Sequence, residues 1–154
     1  MNDGQAAAPR IVVGVDGSEP SEAALRWAVG QAGLIGAVVE AVLAWEYPRW
    51  YGMGVVVSGF DFESNAATVL SQALDEALEP GVPAGIRRRV VFGHPAEALL
   101  EASRGAELLV VGNRGHGGFT EALLGSVTQH VVQHAPCPVV VVRKPGQTDG
   151  PGGG

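Results

Sequence analysis

The chain has 154 residues, 46% of them apolar, and a formal net charge of -6. That length fits one domain with a real core, and the acidic balance argues against broad binding to nucleic acid or anionic membrane, which needs a positive surface. Cys137 is the only cysteine, which excludes an intrachain disulfide and a cysteine metal cluster.

The first ten residues, MNDGQAAAPR, show no charged-then-apolar leader pattern. No apolar run nears the roughly 18 to 20 residues that span a bilayer. The expectation is a cytoplasmic chain with no membrane contact. Residues 1–9 read as a flexible start, 10–144 as the domain, and 145–154, rich in Pro and Gly, as a disordered tail.

The first apolar run, IVVGVD at 11–16, predicts a strand, with GSEPS as the turn after it. Leu25, Ala28, Val29 and Ala32 then recur at helical spacing, with Ser18 as N-cap and Pro20 in the first turn. A second strand fits VVEAVLAW at 38–45. Residues 46–62 are irregular and aromatic, with Tyr47, Trp50, Tyr51, Phe60 and Phe62, and read as an excursion loop. A second helix over 63–79 puts Ala66, Val69, Leu70, Ala73, Leu74 and Ala77 on one stripe, and Pro80 and Gly81 end it. The third strand is IRRRVVF at 86–92. A short helix starts near Pro95, with Ala96, Leu99 and Leu100 inward and Gly105 as its stop. ELLVVG at 107–112 and PVVVVR at 138–143 are the last two strands, and the fourth helix lies between them, ending near His134. Strands and helices alternate, and the strands are almost continuously apolar. This is the pattern of a parallel sheet covered on both faces, whose ligands bind beyond the carboxyl ends of the strands where strand order reverses.

At such a strand end stands GNRGHGGFTEALLGSVTQHV, residues 112–131. A backbone that wraps a phosphate needs free N–H groups and close approach, which glycine permits. Ser126 and Gln129 form an S-x-x-Q capping box, which predicts a helix starting at Ser126 whose first amides and positive dipole end can meet an anion. The plainer alternative is that the glycines make a wide turn and Ser126 merely caps a helix. The phosphate-binding pattern G-x-x-x-x-G-K-[ST] is absent, and the dinucleotide pattern G-x-G-x-x-G fails because Thr120 takes its last position.

The pattern that is met is G-x2-G-x9-G-[ST], through Gly112, Gly115, Gly125 and Ser126. It resembles the nucleotide-binding motif of the universal stress protein family. IVVGVDGSEPSEAALRWAV, GHPAEALLEAS and LLGSVTQHVVQHAPCPVVVVR are similar to that family's first strand and helix, its G-x-P turn and third helix, and its C-terminal helix and strand. The resemblance implies an open, Rossmann-like, five-stranded parallel sheet of order 3-2-1-4-5 with helices on both faces. It also implies a homodimer, and ATP as the leading ligand. By position, adenine falls to Gly14, Asp16 and Ala44. Ribose and phosphates fall to Gly112, Asn113, Arg114, Gly115, His116, Gly117, Gly118, Gly125, Ser126, Val127 and Thr128. Asn113 stands where serine is common in the family, and Gly14 and Ala44 are smaller than some family equivalents, which loosens the expected adenine pocket.

Asp16 can accept from a ribose hydroxyl or an adenine amino group, help hold Mg2+, or only cap the first helix. Arg114 can pair with a phosphate or stand as a solvated loop tip, and His116 likewise. His130 and His134, four apart on a helix, lack a third ligand and read as surface residues. Arg87, Arg88 and Arg89 read as a blocked sheet edge rather than an RNA site, and Cys137 as packed rather than reactive. PVVVVR is apolar on both faces yet belongs at a sheet edge, which predicts a homodimer through residues 138–143. No nucleophile–base pair stands out, so enzyme activity is expected to be absent, or at most slow ATP hydrolysis or autophosphorylation. The function expected is a nucleotide-binding regulator of a stress response. The alternatives are a binder of cyclic AMP or another adenine nucleotide, and a nucleotide-independent adaptor that uses the aromatic loop as its protein-binding surface.

Overall fold

The computed structural model describes residues 8–51, 60–83, 85–114 and 124–143. The expected tail, most of the expected flexible start and the centre of the aromatic loop lie outside these residues. The described chain alternates β1 (Arg10–Gly14), α1 (Glu19–Ile35), β2 (Val38–Trp45), α2 (Phe62–Ala77), β3 (Arg87–Phe92), α3 (Pro95–Ala102), β4 (Leu108–Gly112), α4 (Ser126–His134) and β5 (Val139–Val142). The strands form one five-stranded sheet in the order β3-β2-β1-β4-β5, and every pairing is parallel. The order reverses between β1 and β4, so the switch point lies at the centre of the sheet.

Strand alternation sorts the core into two layers. Ile11, Val13, Val39, Ala41, Leu43 and Val110 face α1 and α2, which bring Leu25, Ala28, Leu70, Ala73 and Leu74. Val12, Val42, Leu109 and Val111 face the other way, onto Ala96, Leu99 and Ala102 of α3 and Val131 of α4. Successive strand residues are buried on opposite faces, which is why these strands read as unbroken apolar runs.

The first three helices start on side-chain caps. The Ser18 hydroxyl accepts from Ser21 N–H at 3.4 Å, Asp61 Oδ1 from Ser64 N–H at 3.1 Å, and His94 Nδ1 from Ala96 N–H at 3.2 Å. Ser18 was legible in the sequence. Asp61 was not, because the loop before it has no regular pattern.

The arginine run on β3 has internal work. Glu40 is buried at 9% exposure and is held between Arg10 at 2.9 Å and Arg89 at 3.3 Å. Arg10 also donates to the carbonyls of Ala102 and Arg104, both at 2.7 Å. A buried carboxylate needs such partners. Arg88 reaches Ser71 at 3.4 Å. Two of the three arginines therefore tie the edge strand to its neighbours.

Candidate functional site

β1 and β4 lie side by side with Val13 opposite Val110. Asp16 and Asn113 each stand three residues beyond that rung, so they share one level at the carboxyl end of the sheet. Val42 of β2 is opposite Gly14, and Ala44 follows two residues later at the same end. The structure thus brings together the described part of the expected site: Gly14, Asp16, Ala44, Gly112 and Asn113, with Arg114 next in the chain. Gly115, His116, Gly117 and Gly118 lie outside the described residues.

Asp16 is half-buried, and one of its oxygens is occupied. Oδ1 accepts from the Ser18 amide at 2.9 Å and from the Ser18 hydroxyl at 2.6 Å. Asp16 is therefore a brace on the residue that caps α1, while Ser18 is the cap itself. Its second oxygen, Oδ2, makes no hydrogen bond among the described residues, so bracing leaves one acceptor open.

The two glycines of the central strands are small for reasons internal to the fold. A Cβ on Gly112 would lie 2.7 Å from the Pro20 carbonyl carbon and 2.9 Å from its oxygen, in the first turn of α1. A Cβ on Gly14 would lie 2.8 Å from Leu99 Cδ1, in α3. Gly112 was expected to be bare for a phosphate. The structure shows that it is bare because a helix backbone crosses it.

The start of α4 corrects the expected capping box. Gly125 holds the N-cap position, and its carbonyl accepts from Gln129 N–H at 2.9 Å. Ser126 is already the first helical residue, one place too late to cap. The Gln129 side chain donates instead to the Leu124 carbonyl at 3.2 Å. Among the described residues no side chain caps this helix, and the amides of Ser126, Val127 and Thr128 make no hydrogen bond. These are three of the open donors that every helix start presents.

Two bonds fix this open end against β4. Gly125 N–H donates to the Asn113 carbonyl at 2.9 Å, and the buried Thr128 hydroxyl donates to the Gly112 carbonyl at 2.7 Å. Thr128 was expected among the phosphate contacts. Its hydroxyl is committed to this tether, and the sequence carried no signal for that role. Asn113 is 4% exposed, and its backbone N–H reaches Val142 at 2.9 Å. Its Oδ1 is buried and has no hydrogen-bond partner among the described residues, an exception that asks for a donor.

A cavity of about 450 Å3 opens at the other end of the sheet between Pro9, Val38, Arg87 and Glu107. Doubly wound sheets do not bind their ligands at that end. The rings of His130 and His134 are 4.7 Å apart and exposed. Among the described residues, no group of three or more His, Cys, Asp or Glu could hold a metal ion. Burial pushes the Cys137 thiol up, against smaller opposing effects of Ser103 and Arg10.

The model of the universal stress protein family matches residues 8–143. The chain belongs to the universal stress protein family. Two universal stress proteins of Mycobacterium tuberculosis are similar to it. One is 38% identical over 139 residues and the other 36% over 137; each match covers 87% of this chain and 45% of the relative. The chain spans under half the length of these curated relatives. Among solved structures, a universal stress protein in complex with cAMP is 30% identical, with a TM-score of 0.66 over 90% of this chain and 99% of that one. A family member from Archaeoglobus fulgidus in complex with dAMP is 25% identical, with a TM-score of 0.62 over 88% and 98%. UspA from Lactobacillus plantarum, 23% identical, has a TM-score of 0.68 over 90% and 100% and shares the fold. No helix among the described residues is long and apolar enough to cross a membrane.

Proposed function

We propose that this chain is a cytoplasmic adenine-nucleotide-binding regulator, with ATP as its ligand. In this reading the base lies toward Gly14, Asp16 and Ala44, and the phosphates lie at the start of α4. The observation that carries the reading is the uncapped α4 terminus. Three amides that are open among the described residues, and a positive dipole end, stand beside the switch point, where the first three helices of the chain close theirs with a side chain. The Oδ2 of Asp16, without a hydrogen bond among the described residues, suits a ribose hydroxyl or adenine amino group. The buried Oδ1 of Asn113, unpartnered among the described residues, suits a hydroxyl donor on the ligand side or a bound water. Mg2+ bound with ATP would take Asp16 and phosphate oxygens and keep several waters, in line with its coordination habits. The solved relatives with cAMP and dAMP support adenine as the base. The same site serves signalling by occupancy, with hydrolysis slow or absent, and the protein works as a homodimer joined at β5.

The test is calorimetry of the purified chain with ATP, AMP, cAMP, GTP and adenosine. ATP is expected to bind more tightly than adenosine, because only ATP engages the α4 amides, and more tightly than GTP. Equal affinity for ATP and adenosine would remove the phosphate site. Tighter binding of cAMP than of ATP would transfer the reading to the cyclic nucleotide. Binding of none would leave the adaptor alternative.

A further inference from the structure

At the carboxyl ends of β2 and β3, aromatic and acidic side chains line an open cavity of about 340 Å3. Its rings are Trp45, Tyr47, Tyr51, Phe60 and Phe62. Trp45 and Phe62 are parallel within 6°, with centroids 6.5 Å apart. Tyr47 stands across both at 83° and 84°, 5.3 and 5.5 Å away. Tyr51 stacks on Tyr47 at 4.7 Å and meets Phe62 at 89°. Trp45 packs against the core and Phe62 is half-buried, while the other three rings stand open. Tyr47 is 48% exposed, Tyr51 46% and Phe60 47%. A contiguous aromatic patch left this open on a soluble chain marks a binding surface more often than chance.

The remaining lining decides what the cavity takes. Asp61 and Glu63 complete it, and among the described residues no Lys or Arg lines it. Ser64 holds the Asp61 carboxylate in place by donating its amide to Oδ1 at 3.1 Å and its hydroxyl to Oδ2 at 2.9 Å. Those bonds also keep the Asp61 carboxyl below its usual range, so it stays charged. Arg49, the cation closest in the sequence, is exposed and does not line the cavity. Two carboxylates repel a phosphate and penalise a neutral apolar guest, which would have to desolvate them. Ring faces carry negative potential and draw a cation, most strongly for Trp and Tyr.

We propose that this cavity binds an organic cation, an alkylammonium or guanidinium group, against the rings of Trp45, Tyr47 and Phe62 with Asp61 and Glu63 as its counter-charges. The group has two sources, a free small-molecule cation or a Lys or Arg side chain of a protein. The nucleotide site is not needed for this binding.

The experiment titrates the full chain with choline and follows tryptophan fluorescence and the N-methyl proton resonance. The control is 3,3-dimethyl-1-butanol, choline's neutral carbon isostere, with NaCl as the ionic-strength blank. Choline is expected to saturate and its methyl resonance to move upfield under the ring currents. The isostere should bind about tenfold more weakly or worse, because it lacks the charge. Tyr51→Leu and Asp61→Asn should each weaken choline several-fold with melting unchanged, since Tyr51 is exposed and asparagine still caps α2. The blocked tripeptide Gly-Arg-Gly separates the sources: binding tighter than choline assigns a protein side chain, and weaker binding a free cation. The proposal falls if choline and its isostere bind alike, if choline produces no saturable shift beyond NaCl, or if Asp61→Asn and Tyr51→Leu leave choline binding unchanged. A fluorescence response to adenosine that competes with choline would also overturn it, by making the cavity a base-stacking slot.

Discussion

Gly112 separates what a glycine does for the fold from what it does for a ligand. Its missing Cβ makes room for the Pro20 backbone, and a backbone atom cannot swing aside as a flexible side chain can. Gly112→Ala is therefore expected to lower stability by about 1 to 3 kcal/mol through overpacking, with or without ATP, as read by denaturant melts of the free protein. Ser126 is the reverse case. It caps nothing, so Ser126→Ala should leave the melt within about 0.5 kcal/mol of the parent. If its hydroxyl meets a phosphate, ATP affinity should drop while adenosine affinity holds. A loss of stability on the scale of a helix cap would mean that Ser126, not Gly125, ends the helix in solution. Asp16→Ala should weaken ATP by about 1 to 3 kcal/mol, the scale of a hydrogen bond to a charged group. Equal ATP affinity in both proteins would leave Asp16 only its bond to Ser18. The glycine motif itself was plain in the sequence. The reason for Gly112 was not, because Pro20 lies 92 positions away and only the folded chain brings the two together.

Among the helices, legibility followed the range of the interactions that fix each one. Ser18 and the Pro20 behind it are local signals, and α1 starts where they predict. The S-x-x-Q box at Ser126 is local too, yet it misplaced the cap by one residue. There Gly125 N–H is held by the Asn113 carbonyl and Thr128 by the Gly112 carbonyl, so β4 rather than the box sets where α4 begins. The α1–α2 contact carries a charge effect with no motif at all. Burial, then the hydrogen bond and repulsion from Glu76, raise the Glu22 carboxyl above its ordinary value of 4.5. A carboxyl whose folded value is raised favours the fold while protonated in both states, below the unfolded value. That contribution is lost as pH climbs through the folded value. Glu22→Gln should therefore melt higher than the parent near neutral pH, with the gap closing below pH 4.5. A gap that is constant across the acid range would mean that the Glu22 carboxyl is not raised in the folded protein.

The alternation of strand and helix revealed the sheet class, because parallel strands buried on both faces leave an apolar run with no gaps. The strand order came from the family resemblance, and the structure bears it out. What the order exposes is β5. Among the described residues it pairs only with β4, through Leu109–Val139 to Gly112–Val142. Val140 and Val142 lean on one core layer and Val139 and Val141 on the other, yet all four remain only half-buried. An edge strand of four valines carries none of the charges, prolines or bulges within it that natural edges use against association. β3, the opposite edge, carries three arginines. The two edges have therefore been given opposite treatment, one closed by charge and one left open to pairing. A second copy pairing across β5 would cover its unpaired backbone and its valines together. The protein is expected to sediment as a dimer at micromolar concentration. Val140→Lys tests the surface, and Val132→Lys on α4, where the side chain is 46% exposed, serves as a milder companion because it disturbs no core packing. If either variant sediments as a folded monomer, the β5 side of the molecule is the interface. A parent protein that sediments as a monomer would rule the dimer out. A parent that remains a dimer when both folded variants do as well would place the interface on another face.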